Sequence, residues 1–295
     1  YALADPVTAA PLAYGAEYER LAWRAIDPAY KADIAFLSKS LPGIWNPLSL
    51  SKDNRFWTLR VDSVVEPVKF VLYDRAAKKL VPLFTARPAL QNAPLAKMHP
   101  VVIKARDGLE LVSYLTLPNG SDANGDGRPD QPLPLVLNVH GGPWGRNSFG
   151  YDAEHQWLAN RGYAVLSVNF RGSTGFGKAF VNAADRQWAG KMHDDLIDAV
   201  EWATKGRIAP PNQIAIFGGS YGGYAALVGV TFTPKTFACG VSIVGPSNLN
   251  TLLASIPPYW ESLLSTFKRR VGDPTTPEGR KLLTERSPLF RAGSI

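Results

Sequence analysis

The chain reads Ile214-Ala-Ile-Phe-Gly-Gly-Ser-Tyr-Gly-Gly-Tyr224 where a short apolar run breaks into glycines around one serine. The apolar residues predict a buried strand, and Gly223-Tyr-Ala-Ala-Leu-Val228 predicts the start of a helix. A Gly-x-Ser-x-Gly motif between strand and helix is typical of a nucleophile elbow, whose tight turn strains the serine backbone and exposes the hydroxyl. We therefore predict that Ser220 is a catalytic nucleophile. An ordinary glycine-rich turn is the alternative.

A second glycine motif, Asn138-Val-His-Gly-Gly-Pro-Trp144, also follows an apolar strand. Its backbone N–H groups lie where a hydrolase needs one donor of its oxyanion hole, and the N–H of Tyr221 supplies the other. His140 has two possible roles, as the general base for Ser220 or as a residue that shapes this loop. Its position before Ser220, inside the loop itself, favours the second role.

Further apolar runs indicate strands that are buried on both faces of a parallel sheet. They are Leu135–Val139, Tyr163–Val168, Ile214–Phe217 and Val241–Val244. Residues Asp194–Lys205 carry apolar side chains at helical spacing, and Asp107-Gly108 joins two strand-like segments, Val101–Arg106 and Leu109–Leu117. Together these patterns predict an α/β fold, a mostly parallel sheet with flanking helices.

The N-terminal third has a different pattern. Short strand-like pieces such as Arg55–Val61 and Lys69–Asp74 alternate with turn signals, which predicts an all-β region. Its length suits about two blades of a β-propeller, a domain that needs at least four. A linker-like stretch, Arg87–Pro94, then separates it from the α/β pattern. We expect residues 1–95 to form the C-terminal part of a propeller and residues 96–295 an α/β domain.

Composition narrows the classes of function. The 295 residues carry a formal net charge of +7, but the basic residues are scattered and predict no nucleic-acid partner. No apolar run is long enough to predict a transmembrane segment, and Cys239, the single cysteine, lies in an apolar stretch that predicts burial. The first residue is Tyr1, from which we expect the sequence to begin inside a longer protein. Compartment and oligomeric state are left open.

Four stretches together resemble the prolyl oligopeptidase family of serine peptidases, especially its acylaminoacyl-peptidase and dipeptidyl-aminopeptidase-like branch. They are His140–Pro143, Asn169–Gly177, Gly218–Gly223 and Pro257–Trp260. The resemblance implies an α/β-hydrolase domain preceded by a β-propeller that screens substrates by size. It also implies that Ser220 is the nucleophile, that Gly142 and Tyr221 are the oxyanion donors, and that Asn169–Gly177 shapes the rim of the active site.

The sequence contains no evident partner for this serine. In α/β hydrolases the triad order is Ser, then Asp or Glu, then His, yet all four histidines precede Ser220. The one downstream aspartate, Asp273, lies in a turn signal, and His193 begins a helix where capping or solvent exposure is expected. We therefore expect a hydrolase fragment, shortened at both ends, whose triad Asp and His are not in this chain and which is inactive alone.

One loop suggests a metal. Asp122-Ala-Asn-Gly-Asp-Gly-Arg-Pro-Asp130 has oxygen ligands at several positions of a calcium loop, but Leu133 stands where a bidentate glutamate is needed. A polar hairpin loop is the favoured interpretation, and we predict no metal and no cofactor.

The leading hypothesis for function is a serine peptidase that acts on short peptides through an acyl-enzyme. A carboxylesterase or lipase of the same fold is the first alternative, because elbow and oxyanion loop serve esters and amides alike. A binding protein that keeps the fold without a triad is the second.

Overall fold

A computed structural model describes all 295 residues. They divide into two compact units, the first formed by residues Tyr1–Pro100 and Ser148–Asn160 and the second by Val101–Asn147 and Arg161–Ile295. The strands are β1 Ala2–Ala4, β2 Pro11–Glu17, β3 Leu21–Ala25, β4 Ile44–Leu50, β5 Phe56–Asp62, β6 Lys69–Asp74, β7 Lys79–Thr85, β8 Met98–Lys104, β9 Glu110–Thr116, β10 Leu135–Val139, β11 Ala164–Val168, β12 Ile214–Gly219 and β13 Cys239–Ile243. The α-helices are α1 Lys31–Ser40, α2 Ala153–Ala159, α3 Lys178–Asn182, α4 Lys191–Lys205, α5 Tyr221–Phe232, α6 Leu249–Ala254, α7 Glu261–Arg270 and α8 Pro277–Glu285.

The first unit contains two antiparallel sheets, with strand orders β1-β2-β3 and β4-β5-β6-β7. The expected strands at Arg55–Val61 and Lys69–Asp74 are confirmed as β5 and β6. The expectation of an all-β region is wrong in one place, because α1 lies between the two sheets along the chain. Ile34 and Leu37, three residues apart, are both buried on this helix, which is the spacing of one helical face.

A buried carboxylate ties α1 to the strands of this unit. Asp33 is 2% exposed and accepts hydrogen bonds from the Tyr73 hydroxyl at 2.6 Å and the Arg75 guanidinium at 2.9 Å. Lys78 also contacts it. Burial alone raises the pKa of Asp33, but the bonds from Lys78, Tyr73 and Arg75 outweigh it, so that the pKa lies below its usual value.

We expect the Asp33→Asn variant to lose about 2 kcal/mol in the free energy of unfolding at pH 7, because Arg75 and Lys78 keep their charges without an anionic partner. A carboxylate whose pKa is depressed on folding contributes stability above its unfolded pKa and loses it as the pH falls through its folded pKa. The gap between wild type and variant should therefore narrow below about pH 4. Urea unfolding at pH 7 and pH 3 measures this difference in the free energy of unfolding. The control is Asp126→Asn, which changes an exposed aspartate. An unchanged gap would contradict the role of the ion pairs.

The second unit is built on a six-stranded sheet with the order β13-β12-β10-β11-β9-β8. Neighbouring strands from β13 to β11 run parallel, whereas β11 and β9 are antiparallel. All residues of β10 and β11 are buried, as the apolar runs predict. The predicted hairpin is confirmed, with Gly108 at φ 89° between β8 and β9. This sheet, with its helical crossovers, confirms the predicted α/β fold.

The strand predicted at the last apolar run, Val241–Val244, is confirmed as β13, but its predicted burial is wrong. All five residues of β13 are exposed, including Cys239, for which burial was expected. Within these 295 residues β13 lies at the end of the sheet and pairs only with β12, so it has no neighbouring strand on its other side. An apolar run predicts a strand, but it does not distinguish an edge strand from a central one.

None of the helices combines the length and apolar character that crossing a bilayer requires.

Candidate active site

The loops after β10, β11 and β12 lie at one edge of the sheet. The strands are parallel neighbours, and their register pairs Val139 with Gly218 and Asn138 with Ser167. The carboxyl ends of parallel strands meet at the same edge, which is where ligands bind in open α/β sheets. His140 therefore begins its loop beside the turn that carries Ser220. The two glycine motifs of the sequence meet in space.

Ser220 has a strained backbone that its neighbours hold in place. It adopts φ 56° and ψ −117°, a conformation that costs a non-glycine residue about 1–3 kcal/mol. Its N–H donates to the carbonyl of Ile243 at 2.9 Å, and its carbonyl accepts from the N–H of Tyr224 at 3.0 Å. The side chain is exposed. The strain and these two bonds present the hydroxyl above the sheet, as a nucleophile elbow requires.

Two of the glycines around Ser220, Gly218 and Gly222, are required by close packing. A Cβ at Gly222 would lie 2.0 Å from the carbonyl oxygen of Val139, and one at Gly218 would lie 2.6 Å from the same oxygen. The elbow thus packs directly against the end of β10. Gly219 differs, because a Cβ there would meet no atom nearer than 4.0 Å. The glycine that precedes the serine is not needed for space.

The candidate oxyanion loop, residues His140–Asn147 and called the oxyanion loop below, contacts the elbow through its first glycine. A Cβ at Gly141 would lie 3.5 Å from the Cβ of Ser220 and 3.2 Å from the carbonyl of Gly219. Gly142 follows at φ 124°, which favours glycine, and a Cβ there would lie 2.6 Å from the nitrogen of Trp144. The loop is therefore folded tightly beside Ser220.

Tyr221 begins α5, so its N–H has no carbonyl one turn earlier to accept it. The helix N-terminus also carries partial positive charge, which favours an anion at this place. The phenol ring does not share this role, since it is 3% exposed and packs edge-on against Trp188 at 4.7 Å between ring centres. Burial raises the pKa of Tyr221 well above its usual value. The available donor at this residue is its backbone.

Both ring nitrogens of His140 are used inside the protein. Nδ1 lies 2.8 Å from the carbonyl oxygen of Gly141, which can only accept, so Nδ1 carries a proton and donates. Burial lowers the pKa of His140 to about 4, so the ring is neutral at pH 7 and Nε2 accepts. Its donor is the hydroxyl of Ser173 at 2.9 Å. His140 therefore holds its own loop, and neither ring nitrogen is left to take a proton from Ser220.

The bond to Gly141 also orients the next N–H. The carbonyl of Gly141 and the N–H of Gly142 belong to one planar trans peptide, so they point in opposite directions. Because His140 holds the carbonyl on its own side, the N–H of Gly142 is directed away from the ring. The N–H of Gly142 is therefore not engaged by His140, as a second oxyanion donor requires.

The other candidates for a base lie elsewhere. His193 was expected at a cap or in solvent, but it is 7% exposed within α4, with Nε2 3.1 Å from the Thr233 hydroxyl. Burial lowers its pKa to about 4. The expectation overlooked that the third residue of α4 faces the helix α5. Asp273 holds a turn, where its carboxylate accepts from the N–H and hydroxyl of Thr275, and these bonds lower its pKa.

Downstream of Ser220 the 295 residues contain no histidine. Upstream, His155 is 1% exposed in α2, and burial lowers its pKa. The described geometry thus places Ser220 beside the loop that contains Gly141 and Gly142 and at the N-terminus of α5, and His140, His155 and His193 do not act as its base.

Carboxylates of the acidic loop Asp122–Asp130 accept hydrogen bonds from backbone N–H groups of the same loop. Asp122 accepts from the N–H groups of Asp126 and Gly127, and Asp130 accepts from the N–H of Ala123. No group of three or more His, Cys, Asp or Glu side chains among the 295 described residues is placed to hold a metal ion. The calcium interpretation gains no support from this arrangement.

Sequence reasoning missed several supporting residues of the site. The carbonyl of Ile243, which holds the N–H of Ser220, belongs to β13 and has no motif of its own. The link from Ser173 to His140 joins two motifs 33 positions apart, and periodicity cannot reveal such a contact. Ser173 lies within the Asn169–Gly177 motif, which was predicted to shape the rim of the active site, and this motif was the one sequence signal that pointed to its involvement.

A serine at the strand-turn-helix of a parallel sheet, with backbone donors beside it, defines an α/β hydrolase. The family model described as the prolyl oligopeptidase family matches residues 149–276. Dipeptidyl aminopeptidase BIII of Pseudoxanthomonas mexicana is 56% identical over 293 residues, which are 99% of this chain and 42% of that protein. The chain belongs to the prolyl oligopeptidase family of serine peptidases.

Other proteins support this assignment. Dipeptidyl peptidase family member 6 of Caenorhabditis elegans is 42% identical, over 90% of this chain and 38% of that protein. A puromycin-hydrolysing peptidase of Mycobacterium tuberculosis has a similar structure, with a TM-score of 0.76 and 25% identity, over 96% of this chain and 42% of that one. The fold is thus an α/β-hydrolase domain preceded by the last strands of a β-propeller. The chain spans about two fifths of the length of the curated relatives it matches.

Proposed function

We propose that the whole protein is a serine peptidase that cleaves short peptides through an acyl-enzyme on Ser220. The observation that carries this proposal is the exposed Ser220 at φ 56°, held beside the oxyanion loop by the packing of the elbow on β10. Within the whole protein, we propose residues 1–95 as the C-terminal part of a β-propeller of about two blades and residues 96–295 as catalytic domain. The four-stranded sheet β4–β7 has the size of one blade.

In the proposed reaction, the Ser220 oxygen attacks the carbonyl carbon of the scissile peptide bond and its proton passes to a base. The carbonyl oxygen becomes an oxyanion and accepts from the N–H groups of Gly142 and Tyr221, each worth about 10²–10³ in kcat. The intermediate collapses with loss of the protonated amine, and water then releases the acid from Ser220.

The base is supplied by residues other than His140, His155 and His193, the histidines described above. Burial lowers the pKa values of His140 and His193 to about 4. Both ring nitrogens of His140 are hydrogen-bonded within its own loop and to Ser173, and Nε2 of His193 is bonded to Thr233. A serine without a base is a poor nucleophile, because only the oxyanion hole and substrate binding then contribute. We propose that the triad Asp and His lie outside these 295 residues and that the 295 residues alone are inactive.

The names of two relatives support the proposal that the whole protein releases dipeptides from the N-terminus of its substrates. One is called a dipeptidyl aminopeptidase and the other a dipeptidyl peptidase family member, at 56% and 42% identity. Relatives called acylamino-acid-releasing enzymes are less similar, for example 23% identical over 166 residues for one from rice. We therefore propose a dipeptidyl aminopeptidase activity within the serine peptidase class.

The experiment compares three substrates with the whole protein, including any sequence the gene encodes on either side. We expect a dipeptidyl anilide to be cleaved with a higher kcat/KM than an N-acylaminoacyl anilide or a short acyl ester. Cleavage of the ester alone would indicate an esterase, and no cleavage of any would indicate a binding protein. The 295 residues alone should label only slowly with a fluorophosphonate at Ser220. Rapid labelling would contradict the proposal that the base for Ser220 lies outside the 295 residues.

A further inference from the structure

The segment Asn169–Ser173, which follows β11, contacts the oxyanion loop at both of its ends. We propose that this support segment positions both N–H donors of the oxyanion hole, and that Asn169, Phe170 and Ser173 are positioning residues for catalysis. This inference rests on the proposed function and adds residues to it. None of the three is placed in contact with substrate, so each acts through another residue.

Asn169 holds the downstream end of the loop. Its side-chain oxygen accepts from the N–H of Asn147 at 2.8 Å, and its side-chain nitrogen donates to the carbonyl of Asn147 at 3.1 Å. The side chain thus pairs with both backbone groups of one residue, as a neighbouring strand would. Asn169 is fully buried, and its own N–H donates to the carbonyl of Val112 in β9. The end of the loop is therefore fixed to the sheet.

Ser173 holds the upstream end through His140. Its hydroxyl is 2.9 Å from Nε2 of His140 and 2.7 Å from the carbonyl of Phe170. The hydroxyl proton can point to either acceptor; because the carbonyl of Phe170 also accepts the N–H of Ser173 at 3.0 Å, that carbonyl keeps a partner when the hydroxyl donates to Nε2. The proton is thus available to Nε2, which keeps the proton of His140 on Nδ1 and hence the bond to Gly141. Ser173 in this way fixes the peptide that carries the N–H of Gly142.

Phe170 links the two donors to each other. Its ring stacks on His140 at 4.6 Å between ring centres and at an interplanar angle of 15°, and it lies 5.2 Å from the ring of Tyr221. The side chain is fully buried. One rigid ring therefore sets the spacing between the residue that orients Gly142 and the residue that supplies the other N–H. Such donors must be held within about 0.5 Å to be effective.

Arg171 anchors the support segment away from the active site. Its backbone N–H and its Nε donate to Asp195 of α4 at 2.8 and 2.9 Å, and its two terminal nitrogens donate to Asp107 at 2.9 and 3.0 Å. Arg171 is 4% exposed and Asp195 fully buried. The ion pair with Arg171 lowers the pKa of Asp107 to about 2. The segment thus has its own fixed position, against which the oxyanion loop is held.

The test uses the whole protein with Asn169→Ala and Ser173→Ala. For both variants we expect kcat on a dipeptidyl anilide to fall about 10- to 100-fold with KM changed less than about twofold, because misplaced donors act mainly in the transition state. The inhibition constant of a dipeptidyl aldehyde should rise by the same factor. Ser220 adds to the carbon of the aldehyde, and its oxygen then occupies the oxyanion position.

Ser113→Ala is the matched control, a fully buried serine of β9 whose hydroxyl bonds to the carbonyl of Leu111, and it should leave kcat unchanged. Ser173→Thr restores the hydroxyl and should recover most of the lost kcat. If Asn169→Ala does not fold, the comparison of kcat between Ser173→Ala and Ser173→Thr tests the positioning role of the support segment. Variants with lower melting temperature but unchanged kcat and aldehyde binding would overturn this inference alone. A wild-type protein that cleaves no anilide would overturn the proposed function and this inference with it.

Discussion

Replacing Ser220 by alanine is expected to lower kcat of the whole protein on a dipeptidyl anilide on the order of 10⁶-fold. The reason is that no acyl-enzyme forms without the hydroxyl, and water has no positioned base to replace it. The fold should persist, because the elbow is held by the backbone bonds to Ile243 and Tyr224, which alanine keeps. Steady-state kinetics and a fluorophosphonate label on both proteins measure the loss.

A control for this variant is Ser40→Ala, which changes an exposed serine at the end of α1 in the first unit. It should label and turn over like wild type. If Ser220→Ala keeps more than about one per cent of the activity, Ser220 is not the nucleophile. A melting temperature that falls by many degrees in Ser220→Ala would instead show that the serine side chain is needed for the fold.

Much of the site could be predicted because its determinants are local. The spacing of glycines around Ser220, the apolar run before it and the helix after it are adjacent in sequence, so sequence alone predicts the elbow. The structure adds that two of these glycines are required by contact with the carbonyl of Val139. These contacts join β12 and the start of α5 to the end of β10, which lies about 80 positions earlier in the sequence.

Other features depend on contacts between distant residues, which the sequence does not display. Cys239 was expected to be buried, but it lies on the edge strand of the sheet, and edge position follows from strand order. His193 was expected at a helix cap or in solvent, but the packing of α4 against α5 buries it. Helix α1 was missed because the strand and turn signals on both sides of it dominated the interpretation. In each case tertiary contacts decide the environment of a residue whose local pattern is ambiguous.

The Gly222→Ala variant is expected to lose about 3 kcal/mol or more in the free energy of unfolding, and most of the activity with it. Its Cβ would lie 2.0 Å from the carbonyl oxygen and 2.9 Å from the carbonyl carbon of Val139, and both atoms are backbone. No side-chain rotation relieves this clash, so either α5 or the end of β10 must move. Any such movement separates Ser220 from the loop that begins at His140. Thermal unfolding and anilide cleavage by the whole protein measure the two effects.

Gly219→Ala is the matched control, because it makes the same chemical change three residues away. The nearest atom to a Cβ at Gly219 is the carbonyl oxygen of Ile243 at 4.0 Å, an ordinary contact distance. We expect this variant to change the free energy of unfolding by less than about 1 kcal/mol, since its effect is mainly on the unfolded chain. Equal losses in the two variants would mean that flexibility of the turn, and not the contact with β10, is what these glycines provide. Loss in Gly222→Ala alone would show that the packing of the elbow on β10 sets the position of Ser220.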